Sequence, residues 1–496
     1  MEKRVRAGTA PHTVRLKRDA LGVPGILFLV LSAQAPLTGI AGAVPLAVAL
    51  GNGAAVPAAY VAAGIIVLLF SVGFVAMSRH VVDAGAFYRY IGAGLGHTAG
   101  TASAAVALFA YCTIQAAMYG LYGATVAQVV TAHTDVAVPW WVYAVATMAL
   151  VQLLGAAGID MGARVLAVFV LAETCVLLAF ALVVLVRGSG AGPLDLASGF
   201  SPGAALQGAP GLALMFAVAS MFGFEATAIY GEEAREPART VPRATYLSIT
   251  LITVFFAVVS WTLIAAHGPA AAKADAGAAL ASGDSSSFVF GPVTDRLGAW
   301  AGDVLPVLLA TSLFAGLLAF HNSANRYLFS LGRERLLPGA LCTLNRRGAP
   351  WAAGAVQSVI ALALVVPFAA GGKDPVLTLF SWFSGVAVLA IMLLYFLTSV
   401  SVTVFFRRER LDRRPWNTLV APVLGALGIA GALWLILSNF TTLIGGDRAT
   451  ATRLALCVPL VLLLGAAGAL LARRRGRHAR GGAAPGPQAP DRTSKA

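Results

Sequence analysis

Charge is what this sequence has least of: 11% of its 496 residues are Asp, Glu, Lys or Arg, against 58% hydrophobic residues, and its mean hydropathy is +0.81. A surface wetted by water needs roughly a quarter of its residues charged. The shortage excludes a soluble globular protein and makes lipid the expected solvent. Cysteine is scarcer still. The four present, Cys112, Cys175, Cys342 and Cys457, lie far apart in or beside apolar stretches, which excludes a disulfide framework or a thiolate metal site and leaves them as small hydrophobes. No cofactor is called for. The outer acids Asp135, Asp195, Asp275, Asp284, Asp295, Asp303, Asp374 and Asp447 are spread over separate loops, and no loop is long enough to hold a catalytic domain. A polytopic membrane enzyme, such as a lipid-linked glycosyl or acyl transferase, would share the hydropathy but usually gathers an acid or histidine cluster at one membrane face, so it is the less favoured class and an enzyme is not expected.

What is present is a succession of long apolar runs. A bilayer core of about 30 Å needs roughly 20 residues per helix, and twelve runs of that size lie between charged or Gly/Pro-rich breaks. They cover about 20–50, 54–77, 98–131, 138–157, 163–186, 208–231, 245–267, 300–330, 350–370, 376–406, 417–439 and 452–472. The expected fold class is an all-α membrane protein with twelve transmembrane helices. The first run is too long for a secretory signal and carries no cleavage site, so it is expected to stay as a span. The segment 268–299 is too polar to span but suits a short surface helix.

The positive-inside rule tests this topology independently. With the N-terminus cytoplasmic, 29 of the 35 Lys and Arg fall on inner segments or inner helix ends; Arg187, Lys273, Arg296, Lys373, Arg448 and Arg453 are the six outer ones. Both termini are therefore expected in the cytoplasm, with the chain a multi-pass protein of the cytoplasmic (inner) membrane. Residues 1–19 form a basic N-terminal segment. The tail 473–496 opens with Arg473, Arg474, Arg475, Arg477 and Arg480 and runs into GGAAPGPQAPDRTSKA, which is expected to be disordered. Such a run beside a membrane helix points to anionic lipid as its partner and not to nucleic acid.

Of 21 acids, two fall well inside the runs, Glu173 and Glu225. A charge in hydrocarbon costs about 3 kcal/mol or more and persists where function or a partner offsets it. Glu173 lies about ten residues into the fifth run, near the midplane; it reads as a proton site or as a neutral acid bonded to a neighbouring helix. Glu225 sits in SMFGFEATAIYG, where Gly223 interrupts bulky residues near the middle of the sixth run. Breaks of that kind are tolerated where they line a cavity or are buried in protein, and a glycine kept for close packing is the plainer alternative. The first run has its own interruption, SAQAPLTGIAGAVP, with Pro36, Gly39, Gly42 and Pro45. Five spans separate the two breaks, the spacing of two inverted repeats. Freed amides on the second half of span 1 suit a carboxylate, and freed carbonyls of span 6 suit an ammonium group. A zwitterion fits that pair.

Three passages make the chain resemble the amino acid, polyamine and organocation transporter superfamily over nearly its whole length. They are DAGAFYRYIGAGLG from Asp83 to Gly96, which is similar to the family's loop between helices 2 and 3; FGFEATAIYGEEAREPARTVPRA, with Glu225, Glu232, Glu233, Pro237, Arg239, Pro242 and Arg243; and HNSANRYLFSLGRERLLP, with Asn325, Arg326, Tyr327, Arg333 and Pro338. The resemblance implies a leucine-transporter-type fold. Its ten-helix core would cover 20–406, with repeat 1 at 20–186 and repeat 2 at 208–406, followed by two peripheral helices at 407–472. It implies a secondary transporter that moves amino acids by alternating access, coupled to protons or exchanging solutes; a carrier of polyamines, nucleobases or other organic cations is the alternative.

The same resemblance places the substrate between the two broken helices. Its carboxylate would meet the backbone at Pro36, Leu37, Thr38, Gly39, Ile40 and Ala41, its amino group the carbonyls from Ala219 to Phe222 beside Gly223, with Phe222 or Phe224 gating. Many relatives carry a lysine on helix 5 in place of a sodium ion, and this chain has Glu173 there. The lysine scheme therefore does not transfer; Glu173 and Glu225 are the proton-coupling candidates. Gln115 and Tyr119 share one face of the third run and line the pathway or pack against another helix. Trp382 and Phe383 contact substrate or anchor at the interface. Arg326 is expected to clamp Glu232 or Glu233.

Overall fold

The structure is a computed structural model that describes residues 21–81, 87–157, 159–333 and 336–481. Among them every regular element is helical, and extended chain pairs only in a one-residue parallel bridge between Leu21 and Ala234. Twelve helices are long and apolar enough to cross a membrane. In order, spans 1 to 6 are Val23–Leu50, Gly53–Ser78, His97–Thr134, Trp140–Ala157, Ala167–Arg187 and Pro210–Ala228. Spans 7 to 12 are Pro237–His267, Ala299–Arg333, Trp351–Ala370, Pro375–Glu409, Trp416–Leu443 and Arg448–Leu471. Each expected run is matched by one of them. Prolines open several, including Pro57, Pro210, Pro237 and Pro375, because the first helical turn has no use for the amide that proline lacks.

The boundaries differ in instructive places. Span 12 continues as helix to Gly481, past the expected end at 472, because arginine is a good helix former and no proline intervenes. The segment 268–299 holds two helices, Ala272–Ala281 and Ser287–Leu297, where one was expected. Within the passage Asp83 to Gly96, Phe87–Leu95 is an amphipathic helix and not a loop. Residues 1–19, 83–86 and 482–496, to which parts of the expectations refer, lie outside the described residues.

Burial sorts the spans into a core and a rim. Span 6 is almost wholly covered by protein, spans 1 and 3 nearly so, and spans 4, 5, 9, 11 and 12 show most of their surface outward. Leu153, Leu182, Leu463 and Trp434 on those rim spans are exposed, which costs nothing in a solvent as apolar as they are. Between spans the packing depends on small residues. Gly425 of span 11 brings its backbone against Phe70 of span 2, where a Cβ would sit 3.0 Å from the Phe70 nitrogen. The two most interrupted helices therefore occupy the centre, where irregular backbone is shielded from lipid.

Candidate functional site

Span 1 breaks at one residue. The helix Val23–Gln34 ends, Ala35 adopts a left-handed conformation (φ 43°), and Pro36 starts a new turn that widens through Gly39–Ala43 before Val44–Leu50 resumes. Proline's fixed φ restarts the helix at once, so the left-handed break falls at Ala35, just ahead of the interruption read from Pro36 to Pro45. The Gly39 amide bonds back to the Ala35 carbonyl, so the Leu37 and Thr38 amides lie in the new first turn, where the helix itself supplies no acceptor; the Leu37 amide faces Glu173.

Span 6 breaks more widely. Its first half ends at Met221, Phe222 is extended, Gly223 takes φ 112°, and helix returns at Ala226. Only glycine fits there, since the left-handed backbone is strained for other residues and a Cβ would lie 2.9 Å from that of Ala33. The two breaks touch: Gln34 Nε2 donates to the Met221 carbonyl at 3.3 Å.

Between them is a small cavity of about 40 Å³. Gln34, Ala35, Thr38 and Gly39 line it from span 1 and Ala219 and Ser220 from span 6; Ile114 and Met118 of span 3, Phe320 of span 8, and Phe380 and Ser384 of span 10 complete it, with Ala33 and Ala43 at the ends. Four neutral polar side chains and an apolar wall face the space, and none of the lining side chains is charged. Of the residues anticipated from sequence, Thr38, Gly39 and Ala219 line the cavity. Pro36, Leu37, Ile40 and Ala41 are buried around it.

The remaining candidates divide. Phe222 packs edge-on against Phe320 (5.5 Å) and Tyr111 (5.7 Å), directly behind the cavity wall. Phe224 turns away into a cluster with Phe70, Phe74 and Tyr395. Gln115 and Tyr119 also lie off the cavity: Gln115 accepts from Gln357 Nε2 at 2.6 Å and donates to the Tyr119 hydroxyl at 3.4 Å, and Cys112 donates to Gln357. Their geometry is that of polar packing between spans 3 and 9. Trp382 and Phe383 pack edge-on against Phe368 of span 9. The ring of span 10 that reaches the cavity is Phe380, at the end of the wide turn Pro375–Phe380, a feature that sequence periodicity does not reveal. Met118 was equally hidden, although it sits one residue from Tyr119 on a run already singled out.

The two buried acids have opposite surroundings. Glu225 is saturated: Tyr111 donates to it at 3.1 Å, Tyr395 at 3.2 Å and the Gly223 amide at 3.1 Å. It ties spans 3 and 10 to the break of span 6. Glu173 is fully buried and neither carboxyl oxygen has a hydrogen bond of normal geometry. It faces the Leu37 amide and the Ser312 hydroxyl, and Thr38, on the cavity, donates to that same hydroxyl at 3.3 Å. At the face carrying the termini, Arg326 of span 8 pairs with Glu233 at 2.7 Å and lies over the Tyr230 ring, 4.8 Å from its centre. This is the expected clamp.

Residues 28–479 match the sequence profile of the amino acid permease family. The chain belongs to the amino acid permease family. Among curated relatives, a branched-chain amino acid permease of Lactococcus lactis subsp. cremoris is 27% identical to this permease over 220 residues, 43% of this chain and 42% of the relative. An uncharacterized transporter of Mycobacterium tuberculosis is 33% identical over 188 residues, 37% and 39% of the two chains. The match therefore spans about two fifths of the length of these relatives. Among solved structures, a variant of the manganese transporter of Eremococcus coleocola superposes on this permease with TM-score 0.60 at 14% identity, covering 93% of this chain and 99% of the other. A second variant gives 0.59 at the same identity. At that identity the likeness establishes a shared transporter fold.

Proposed function

We propose that this permease is a secondary active transporter of amino acids in the cytoplasmic membrane, working by alternating access around the cavity between spans 1 and 6. One observation carries this: two helices broken halfway across, joined by the Gln34 bond, line a common cavity. The first turn after Ala35, whose Leu37 amide already faces Glu173, forms a positive helix end suited to a carboxylate, and carbonyls freed at the break of span 6 suit an ammonium group. The wall of Ile114, Met118, Phe320 and Phe380 selects a side chain that is uncharged and apolar, in keeping with the branched-chain permease among its relatives. Polyamines and other organic cations, the alternative read from sequence, would need an anion that the wall does not offer. The hard divalent cation carried by the structural neighbours likewise prefers carboxylate ligands.

The excess of Lys and Arg on one face supports a cytoplasmic position for both termini, with the basic tail suited to anionic lipid. Spans 1 to 5 and 6 to 10 read as two inverted repeats, since their first members carry the two breaks, and spans 11 and 12 are peripheral. Glu173 is the proton site, coupled to the cavity through Ser312 and Thr38.

A thermal-shift series on the purified protein tests the substrate. A ligand at 100 times its Kd adds about 2.7 kcal/mol to the folded state. Neutral apolar amino acids raise Tm and their decarboxylated amines do not. Equal shifts from the amines, or none from any amino acid, would overturn the proposal.

A further inference from the structure

On the face opposite the termini, the link between spans 7 and 8 is built as a two-helix cap, Ala272–Ala281 and Ser287–Leu297. The first helix packs on Val44–Leu50, the second half of span 1, and the second packs on spans 5 and 8 and on the widened turn Gly39–Ala43. The cap therefore lies across the route from that face to the cavity.

A single imidazole joins span 7 to both cap helices. His267, the last residue of span 7, places Nδ1 2.9 Å from Asp275 Oδ2 on the first helix and Nε2 2.8 Å from the Phe288 carbonyl on the second. Its ring stacks flat on Phe288, with centroids 4.2 Å apart and planes 4° apart. Both partners are pure acceptors. A neutral imidazole has one N–H, and whichever nitrogen lacks it would turn a lone pair toward an oxygen; the imidazolium donates from both. This arrangement is complete when the ring carries two protons.

We propose that His267 is a proton-operated latch: with both nitrogens protonated it holds the cap closed over span 1, and loss of one proton releases it. Asp275 is the charged group that faces the ring. Of the other charged side chains on adjoining elements, Arg296 donates to the Gly188 and Ser189 carbonyls, Lys273 lies against Gly53, Asp284 caps its own turn, and Asp195 caps a short helix beyond Trp261; Asp295 of the second cap helix, Arg187 of span 5 and Asp303 of span 8 make no hydrogen bond or ion pair with the ring. Gln128 of span 3 donates to the Gly283 carbonyl between the two helices at 2.8 Å, a contact without a titrating group, so the cap stays tethered at that point when the latch lets go. By linkage, closing the cap takes up a proton, and acid favours the closed form. On the orientation proposed above, the pH sensed is that of the outside.

Hydrogen–deuterium exchange of the full-length protein in nanodiscs, at pH 5 and pH 8 and corrected for intrinsic exchange, tests this without substrate. Protection of Ala272–Ala281 and Ser287–Leu297 should fall about tenfold at pH 8 in the native protein. His267→Phe keeps the stack but neither donor, and should leave both helices at the low level at either pH. Asp275→Asn, which keeps the imidazole, should show a smaller pH response. Unchanged protection in the native protein between the two pH values would overturn the latch, as would a full native response in either variant. Because protection is read without ligand, the latch stands or falls separately from the thermal-shift result.

Discussion

At the level of single residues, the two intramembrane acids make opposite demands on their surroundings. Glu225 accepts three hydrogen bonds from two tyrosines and a backbone amide. Glu225→Ala strands those buried donors, at about 1–3 kcal/mol for each that finds no new acceptor, and should lower Tm sharply in the absence of substrate. Glu173, whose oxygens have no such bonds, gives the reverse pattern. Glu173→Gln keeps its volume and removes the proton, so Tm should hold while proton-driven accumulation in proteoliposomes is lost and counterflow exchange persists. Retained accumulation would take the proton site away from Glu173. Sequence put both acids within long apolar runs, and the structure has them in spans 5 and 6, because a charge in an apolar run stands out. It did not separate their surroundings: Tyr111 and Tyr395 are 114 and 170 positions from Glu225, and nothing local announces them.

Individual helices show how a break is built. In span 6 Gly223 marks the bend directly, because a positive φ and the approach of Ala33 admit no side chain. In span 1 the prolines and glycines drew attention to residues 36–45, yet the bend sits just before them at Ala35, an ordinary residue in a conformation worth about 1–3 kcal/mol of strain. Proline was legible as an interruption but acts here as a restart. Ala35→Gly should therefore keep the bend, with Tm unchanged or slightly raised. Ala35→Val should cost about 1–3 kcal/mol or more, since a β-branched residue resists that region, and should weaken amino acid binding in parallel. Equal Tm values for the two variants would show that the bend is not set by this residue.

Taken whole, the molecule was legible as twelve spans because lipid imposes length and apolarity on every crossing, whereas the way those spans lean on each other depends on pairings that cross the entire chain. Two of these define what moves with what. The chain entering span 1 is bonded to the chain leaving span 6: the Leu21 amide donates to the Glu233 carbonyl at 3.1 Å and the Arg235 amide to the Leu21 carbonyl at 2.8 Å. Arg326 then fastens this pair to span 8. If spans 1 and 6 rock together against the rest, the first junction rides along and the second must part. Cross-linking Leu21→Cys to Ala234→Cys should leave uptake near the native rate. Joining Glu233→Cys to Arg326→Cys with a short bifunctional thiol reagent should stop uptake, and reduction should restore it; both pairs are made in a background without Cys112, Cys175, Cys342 and Cys457. Arrest by the first link, or full uptake with the second, would mean that the moving body is not the pair of broken helices, because a rigid tie blocks only motion between the parts it joins.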